Sequence, residues 1–208
     1  MCATPQDGLG AAPLVAGVDE AGRGPLAGPV VAAVVVLCQA PPVGLADSKR
    51  LSAARRARLA EEIRARCAWA IGVVDVDIID RLNIFAATML AMTQAVDRLD
   101  LLLGRNGLGT VLVDGGHTPA GRVREWRWNT RAVVGGDATQ PAISAASIIA
   151  KEHRDTMMRE AATRWPLYGW DRNKGYGTAE HLRALREHGP TPLHRRSFAP
   201  VAQLELLA

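Results

Sequence analysis

Cysteine is scarce in this chain of 208 residues, and its three cysteines show no C-x-x-C spacing. This absence excludes a disulfide framework and a paired-cysteine zinc site, and it favours a reducing, cytoplasmic location. Long hydrophobic runs are also absent, because the longest, residues 30–38, is much shorter than the roughly 20 residues of a membrane-spanning helix. No basic segment precedes an apolar stretch at the start, so a secretory signal is not indicated. We therefore expect no membrane partner.

Lysine is rare relative to arginine. Of the 25 basic residues only three are lysines, and these are Lys49, Lys151 and Lys174. The arginine excess is most simply a compositional bias, so each retained lysine marks a candidate functional position. The net charge of +4 resides late in the chain, where residues 117–208 carry 14 basic and nine acidic side chains. A basic C-terminal part suits a polyanionic partner such as nucleic acid.

The overall composition, with 48% apolar and 22% charged residues, is typical of a globular protein. Residues 1–13 lack periodicity and predict a flexible leader, and residues 14–208 have the length of one domain. The pattern predicts strands at residues 14–19, 30–38, 69–76, 110–113 and 131–134. It predicts helices at residues 52–66, 78–103, 141–164 and 178–188. Interleaved strands and helices indicate an α/β fold with helices concentrated late in the chain.

Acidic residues follow three of the predicted strands. They are Asp19 with Glu20, Asp114 and Asp137, each next to a glycine or within two residues of one. Ligands of α/β sheets bind beyond the carboxyl ends of the strands, so we expect these carboxylates to converge. A cluster of like charges needs bound cations, and a set of oxygen ligands without His or Cys favours Mg²⁺ or Mn²⁺. Two such ions are typical of in-line displacement at phosphate. For each acid taken alone, a turn or capping role remains an alternative.

An ordered series of motifs runs along the chain. Residues 17–30 read GVDEAGRGPLAGPV, residues 47–52 read DSKRLS, residues 113–115 read VDG and residues 136–137 read GD. Residues 144–151 read SAASIIAK, residues 173–178 read NKGYGT and residues 194–195 read HR. In this order the motifs resemble the signature of type 2 ribonuclease H, ribonuclease HII, across almost the whole chain. A single motif of this kind is weak, whereas the ordered series is highly specific.

The resemblance implies a fold and an activity. The expected fold is α/β, a ribonuclease-H-like five-stranded mixed sheet flanked by helices, with a helical C-terminal extension, in a single catalytic domain over residues 14–208. The expected activity is endonucleolytic cleavage of RNA in RNA–DNA hybrids, and 5′ to a single ribonucleotide in duplex DNA. The products carry 3′-hydroxyl and 5′-phosphate ends. The expected partners are therefore these nucleic acids, with the protein acting as a monomer.

The resemblance also assigns roles by position. It implies that two ions, Mn²⁺ or Mg²⁺, are held by the catalytic carboxylates Asp19, Glu20, Asp114 and Asp137. The remaining expected site residues bind substrate, and they are Gly22, Arg23, Gly24, Lys49, Ser144, Ser147, Lys174 and Tyr176. The glycine turn (residues 22–24) and Tyr176 would read the 2′-hydroxyl, because glycines let backbone amides approach closely. The two lysines would hold phosphates, with solvated loop positions as the alternative. Ser144 and Ser147 suit either phosphate binding or close helix packing.

Two other functions compete with this interpretation. Residues 22–27 fit the dinucleotide-binding pattern G-x-G-x-x-A after a strand, but that pattern must open a helix and here a valine-rich strand follows. A catalytically silent nucleic-acid-binding module of the same fold would have lost a carboxylate, and none is lost. Type 3 enzymes carry an additional N-terminal domain, whereas only 13 residues precede the first strand here. Type 2 is therefore the favoured expectation.

The sequence departs from the resemblance near the fourth carboxylate. Gly135 stands where the family usually has Lys, and Gly116 stands where it usually has Asn. The segment 117–131, rich in Arg and Trp, is longer than expected. Its interleaved Trp126 and Trp128 suit either a nucleic-acid contact or a β-ribbon with alternating exposed arginines. These departures affect the expected substrate contacts near Asp137, and none of them removes a catalytic carboxylate.

Overall fold

Five strands build one sheet in the computed structural model, which describes residues 13–104 and 107–205. They are β1 (Leu14–Ala21), β2 (Val30–Val36), β3 (Ala68–Val74), β4 (Leu108–Asp114) and β5 (Thr130–Val133). Their order across the sheet is β3-β2-β1-β4-β5. The strands β1, β2 and β3 pair antiparallel, whereas β1, β4 and β5 pair parallel. The predicted five-stranded mixed sheet is thus confirmed, and most of the predicted leader lies outside the described residues.

Helices cover both faces of this sheet. They are α1 (Ala53–Arg66), α2 (Val76–Leu82), α3 (Ile84–Leu102), α4 (Gly136–Thr139), α5 (Pro141–Arg164), α6 (Trp170–Asn173), α7 (Ala179–His188) and α8 (Ala199–Glu205). The predicted boundaries of α1, α5 and α7 are confirmed to within a residue. Ser52 caps α1 by accepting a hydrogen bond from the amide of Arg55, and Pro141 occupies the first turn of α5, where its missing N–H costs nothing. Among the described residues no helix combines the length and the apolar character required to cross a bilayer.

The strand β2, next to the central strand β1, is buried on both faces. Its even-numbered residues, from Val30 to Val36, pack in the cluster that contains α3. Its odd-numbered residues, from Val31 to Val35, pack with α1 and α5 on the other face. Side chains alternate across a strand, so a strand covered on both sides needs an uninterrupted apolar run, which residues 30–36 provide.

Gly17 on β1 sets the position of α5. A Cβ atom at this position would lie 2.2 Å from the carbonyl carbon of Ala142, so any side chain would push the helix away. Because α5 approaches the strand so closely here, its following turns pass over the carboxyl end of β1. This approach places the small residues of α5 next to the acids that follow the strand.

The helical C-terminal extension forms a third hydrophobic cluster. Met158 of α5 packs there with Tyr168, Trp170, Leu185 and other apolar residues of the later helices. Leu26 and Ala27, from the loop that follows β1, belong to the same cluster. The extension therefore packs directly beneath the loop that contains the glycine turn.

The predicted helix at residues 78–103 is wrong in one respect, because it is interrupted at Asn83. This residue has φ 71°, outside helical geometry, and its side-chain oxygen accepts hydrogen bonds from the amides of Phe85 and Ala86 at 3.0 and 3.1 Å. The predicted strand at residues 69–76 is also too long, since Val76 already begins α2. The apolar periodicity continues across the break and so conceals it.

Asn83→Ala should lower the free energy of unfolding by about 2 kcal/mol. The variant loses the helix cap, which is worth about 1 kcal/mol, and it places a Cβ-bearing residue without a local hydrogen bond at positive φ, which costs about 1 kcal/mol more. Asn83→Gly is the matched control, because glycine tolerates positive φ and is an acceptable cap. Urea unfolding of both variants measures the difference. Equal stability of the two would contradict the assigned backbone role of Asn83.

The arginine- and tryptophan-rich segment does not form the β-ribbon that was one of its two expected forms. Trp126 and Trp128 are buried, with their rings edge-to-face at 5.2 Å, and the chain forms turns rather than a β-ribbon before β5 begins. The guanidinium of Arg127 lies 4.3 Å from the Trp128 ring and forms ion pairs with Asp97 and Asp100. Buried indoles cannot serve as stacking platforms for bases, so this segment anchors β5 to α3.

Candidate active site

Three carboxylates converge at one edge of the sheet. Asp19 lies near the end of β1, Asp114 ends β4, and Asp137 lies in α4, just after β5. Because β1, β4 and β5 are parallel neighbours, their carboxyl ends meet at the same edge. One oxygen from each carboxylate can be chosen so that all three lie within 4.8 Å of one another.

Glu20 stands slightly apart from this group. Consecutive residues of a strand point to opposite faces, so Glu20 points toward α3 while Asp19 points toward α5. The Glu20 carboxylate forms an ion pair with Arg23 at 3.2 Å. It shares a small recess with Asp114, and the recess is also lined by Phe85 and Met89. Burial raises the pKa of Glu20, and the charge of Arg23 opposes that rise.

The carboxylate cluster carries uncompensated negative charge. Burial raises the pKa of Asp19 well above its usual value, and the charges of Glu20 and Asp114 add to the effect. The Asp137 pKa is also raised, first by burial and then by the charge of Asp114. Within the described residues none of Asp19, Asp114 and Asp137 forms a salt bridge with a basic side chain. Such an arrangement favours the binding of cations.

The donor set fits a hard divalent cation. Three carboxylates supply only oxygen ligands, and neither histidine nor cysteine belongs to the group. The Asp19 side chain is almost fully buried, with 6% of its surface exposed, although the described residues give it no cationic partner. A buried carboxylate of this kind is costly unless a positive charge compensates it. The site therefore suits divalent metal binding.

Backbone contacts hold the acids in place. The amide of Asp137 donates to Asp114 Oδ1 at 3.2 Å, and the amide of Glu20 donates to Asp19 Oδ1 at 2.7 Å. Ser144 is buried, and its hydroxyl donates to the carbonyl of Asp137 at 2.6 Å. The Ser144 proton is therefore committed inside the protein, and this residue positions α4 relative to α5.

An open cleft connects Asp19 and Glu20 to most of the expected substrate-binding residues. Those that line it are Gly22, Arg23, Gly24, Lys49, Ser147 and Tyr176. Ser147 forms a hydrogen bond with Asp19 that lowers the aspartate pKa, and its hydroxyl lies 2.9 Å from that of Ser48. Ser48, Lys151 and Arg154 also line the cleft and were not among the expected site residues. All three lie in or beside motifs of the resemblance, and Lys151 had a second signal in the sequence as one of the three lysines.

The glycine turn requires its first glycine. Gly22 has φ +98°, and a Cβ atom there would lie 2.0 Å from Nε of Arg154. The ring of Tyr176 faces the turn from the other side, since its Cε1 atom lies 3.6 Å from the position that a Cβ on Gly24 would take. Tyr176 is 47% exposed, so the ring and the turn form an accessible wall of the cleft.

The three lysines differ in their surroundings. Lys49 is exposed, and its amide donates to Asp47 Oδ1 at 2.9 Å, which fixes the loop at the cleft rim. Lys151 forms an ion pair with buried Asp155 at 2.6 Å. Lys174 does not line the cleft, and its ammonium group donates to the carbonyl of Asp171. Of the lysines expected to hold phosphates, Lys49 is thus the one at the cleft.

The dinucleotide-binding alternative is wrong. The segment after the glycine turn leads into β2 and not into a helix, so no helix N-terminus stands behind it to receive a pyrophosphate. Gly135 and Gly116, the departures noted in the sequence, both lie in open space, where a Cβ atom would meet nothing within 4 Å. Steric crowding therefore does not explain either glycine.

Comparisons with known proteins agree with this geometry. The family model described as ribonuclease HII matches residues 16–201. A ribonuclease HII of Novosphingobium aromaticivorans is 71% identical over 192 residues, which cover 92% of this chain and 98% of the relative. The ribonuclease H2 structure from Pyrococcus horikoshii OT3 superimposes with a TM-score of 0.74 at 25% identity and covers 93% of this chain and 97% of that one.

A more distant structure shares the fold. Bst-RNase HIII, solved in complex with Mn²⁺, superimposes with a TM-score of 0.74 at 19% identity, covering 94% of this chain and 70% of that chain. The ribonuclease-H-like fold expected from the sequence is thereby confirmed. By its family match and by its near-full-length relatives, this chain belongs to the ribonuclease HII family, which consists of metal-dependent endonucleases that act on RNA–DNA hybrids.

Proposed function

We propose that this chain cuts RNA in RNA–DNA hybrids and also cuts a DNA duplex 5′ to a single embedded ribonucleotide, leaving 3′-hydroxyl and 5′-phosphate ends. One observation carries the proposal: Asp19, which belongs to the carboxylate cluster suited to divalent cations, lines the same cleft as the glycine turn and Tyr176. The first group provides for phosphodiester hydrolysis, and the second provides a surface that can test a sugar. Such a reaction serves the removal of ribonucleotides from DNA.

The catalytic residues in this proposal are Asp19, Glu20, Asp114 and Asp137, which would hold two ions, Mn²⁺ or Mg²⁺. Bound divalent cations supply the charge that activates a water and stabilises the departing 3′-oxygen. The chain's own contribution is to keep the carboxylates in place through the amides of Glu20 and Asp137. The raised pKa values of Asp19 and Asp137 agree with a site whose charge is balanced by bound cations. The Mn²⁺ complex of Bst-RNase HIII supports the choice of metal.

Recognition of the ribonucleotide is assigned to the glycine turn and Tyr176. The 2′-hydroxyl is the group that distinguishes a ribonucleotide from its neighbours in DNA. Backbone amides at residues 22–24 border the cleft, and no side chain of Gly22 or Gly24 obstructs them. The half-exposed Tyr176 ring offers an apolar face for a sugar and a hydroxyl for a hydrogen bond.

Phosphate binding is assigned to residues around the cleft. Lys49 is exposed at the cleft and can contact the backbone of the cut strand directly. Ser147 also lines the cleft but is 5% exposed, and its hydroxyl can contact a phosphate only by turning away from that of Ser48. Lys174 precedes the Tyr176 loop and can reach a phosphate farther along the strand only by leaving the carbonyl of Asp171. Ser144 contributes through the position of α4, because its hydroxyl is buried.

We further propose that residues 14–208 act as one catalytic domain, as a monomer, in the cytoplasm.

A duplex with one ribonucleotide tests this function. The protein is incubated with a labelled 20-base-pair DNA duplex of this kind, in Mg²⁺ or Mn²⁺ and again with EDTA, beside an all-DNA duplex. We expect a single cut 5′ to the ribonucleotide in metal, none in EDTA and none in the all-DNA control. Binding of the duplex without any cut in either metal would instead favour the silent nucleic-acid-binding module.

Tyr176→Ala should reduce the preference for the ribonucleotide-bearing duplex over plain DNA by about tenfold, the size of one lost stacking contact. Tyr176→Phe keeps the ring and should retain most of the preference. Equilibrium binding to the two duplexes in EDTA measures the ratio for each variant. Equal losses on both duplexes would argue against a role of Tyr176 in reading the sugar.

A further inference from the structure

Arg195 lies directly beneath the glycine turn. Its side chain is completely buried, and its guanidinium donates only to backbone carbonyls. Nη2 donates to the carbonyl of Gly22 at 2.6 Å, Nη1 to that of Arg23 at 2.9 Å, and Nε to that of Gly28 at 2.9 Å. One side chain thus fixes both ends of the loop that joins β1 to β2.

These contacts orient the amides that face the cleft. In a trans peptide the C=O of one residue and the N–H of the next point in opposite directions. Because the carbonyls of Gly22 and Arg23 point inward to Arg195, the amides of Arg23 and Gly24 point outward. Neither amide has a hydrogen-bond acceptor in the described part of the chain. The turn therefore presents two adjacent unpaired donors at the surface that borders the carboxylates.

A second buried arginine joins the turn to the Tyr176 loop. Arg154 is 1% exposed, and its Nε donates to the carbonyl of Pro29 at 3.0 Å. Its Nη1 donates to the carbonyl of Lys174 at 3.0 Å, two residues before Tyr176. The amide of Leu26 also donates to the carbonyl of Gly175 at 2.8 Å. The two walls of the cleft are therefore held in a fixed relation.

The free-energy cost of burying two charged arginine side chains indicates that they have a specific role. Within the described residues neither guanidinium forms a salt bridge, so two positive charges are buried against carbonyl dipoles, with the Phe198 ring 5.1 Å from the Arg195 guanidinium. Burial lowers the pKa of Arg154 to about 10 and that of Arg195 to about 9, which leaves both charged at neutral pH. Apolar side chains fill such space at lower cost. What they cannot supply is a planar fork that binds several carbonyls at once.

We propose that Arg195 is a positioning residue for ribonucleotide specificity. It holds the carbonyls of Gly22 and Arg23 inward, and the amides of Arg23 and Gly24 therefore face the 2′-hydroxyl. Arg154 binds the carbonyl of Lys174 and so fixes the position of the Tyr176 ring relative to those amides. The inference rests on the proposed function, since it concerns the recognition step of that same site.

Arg195→Lys tests the inference, because lysine keeps the charge but has one nitrogen where arginine has three. Binding is measured in EDTA on a duplex with one ribonucleotide and on the matching all-DNA duplex, and cleavage is measured in Mn²⁺. We expect the binding preference to fall at least tenfold and kcat/KM on the ribonucleotide duplex to fall at least thirtyfold. Affinity for the all-DNA duplex should change less than twofold.

A matched variant separates positioning from stability. Leu59→Ala removes core volume under α1, in a hydrophobic cluster separate from that of the extension, and should lower the Tm without changing the binding preference. If Arg195→Lys is folded and keeps both the preference and kcat/KM within twofold of the wild type, the inference is overturned. If the wild-type protein itself does not cut the ribonucleotide duplex, the proposed function fails first.

A measurement on the wild type covers the case in which no Arg195 variant folds. Hydrogen exchange of the Arg23 and Gly24 amides, followed by NMR, should be fast in the free protein and slowed at least tenfold by the ribonucleotide duplex, with little slowing by all-DNA duplex. Amides that are already protected in the free protein, or that both duplexes protect equally, would overturn the assignment of Arg195.

Discussion

Asp19→Asn should lower turnover of the ribonucleotide-bearing duplex by about a thousandfold, equivalent to about 4 kcal/mol in the activation barrier. The substitution keeps the size of the side chain and an oxygen that can accept the amide of Glu20, so the local fold should persist. What is lost is the charge of the most deeply buried member of the carboxylate cluster. Single-turnover cleavage in Mn²⁺ measures the effect.

The same variant should bind the duplex as well as the wild type does, because removing a negative charge near phosphates does not weaken the contacts. A titration with Mn²⁺ alone should show weaker metal binding, which ties the lost turnover to the carboxylate. Asp171→Asn is a charge-matched control, since Asp171 is exposed and pairs with Arg172 away from the cleft. Turnover of Asp19→Asn within fivefold of the wild type would remove Asp19 from the catalytic set.

The second large effect is on stability at low pH and arises from a buried pair of histidines. His194 Nδ1 accepts a hydrogen bond from the amide of Thr191 at 2.9 Å, so its proton lies on Nε2, 3.0 Å from Nε2 of His181. His181 accepts there, and also accepts from Nε1 of Trp170 at 3.1 Å. Both rings must be neutral for this network to form. Burial, together with the neighbouring His181, lowers the pKa of His194 to about 4.

The direction in which stability changes with pH follows from the lowered pKa of His194. Between pH 6.5 and 4 the unfolded chain protonates His194 and the folded chain does not, so the stability it contributes is present above pH 6.5 and is lost as the pH falls. The loss at pH 4 amounts to about 3 kcal/mol. The raised pKa values of Asp19 and Asp137 act in the opposite direction, because protonation of these acids favours the fold. The wild-type curve alone therefore does not isolate the histidine.

The variant His194→Asn isolates the contribution of His194 to the pH dependence of stability, because asparagine does not titrate. Its side-chain oxygen lies near the position of the histidine Nδ1. Urea unfolding at pH 7 and pH 4 should show that the wild type loses about 3 kcal/mol more stability than the variant over this interval. The acids of the carboxylate cluster are common to both proteins, so their contribution cancels in the comparison. Parallel pH curves for the two proteins would show that His194 is not held neutral in the fold.

The sequence was most informative where local chemistry repeats. Acids placed just after predicted strands, with glycine nearby, indicate Asp19, Asp114 and Asp137 from the sequence alone, because parallel strands bring their carboxyl ends to one edge. The start of α5 was equally predictable from the sequence, because Pro141 favours the first turn of a helix. The separate orientation of Glu20 also follows from strand alternation, although four convergent carboxylates were expected.

Other features depend on tertiary contacts that composition conceals. Arg154 and Arg195 lie in or beside motifs of the resemblance, but in a chain rich in arginine nothing local indicates that their side chains are buried. Trp126 and Trp128 lie among charged residues, which suggested exposure, yet they pack against the sheet core. In both cases the burial is decided by residues far away in sequence, and no periodic pattern reports on such partners.

The contact from Arg195 to Gly22 spans 173 residues of sequence and has a consequence for synthesis. The acids and α5 all precede residue 165, so a chain that has not yet reached residue 195 contains them but lacks the guanidinium that holds the turn. A product that terminates early would retain the acidic cluster but lack the side chain that orients the turn. Under the proposed function, the contact that supports discrimination between sugars is thus among the last that the chain can form as it is made.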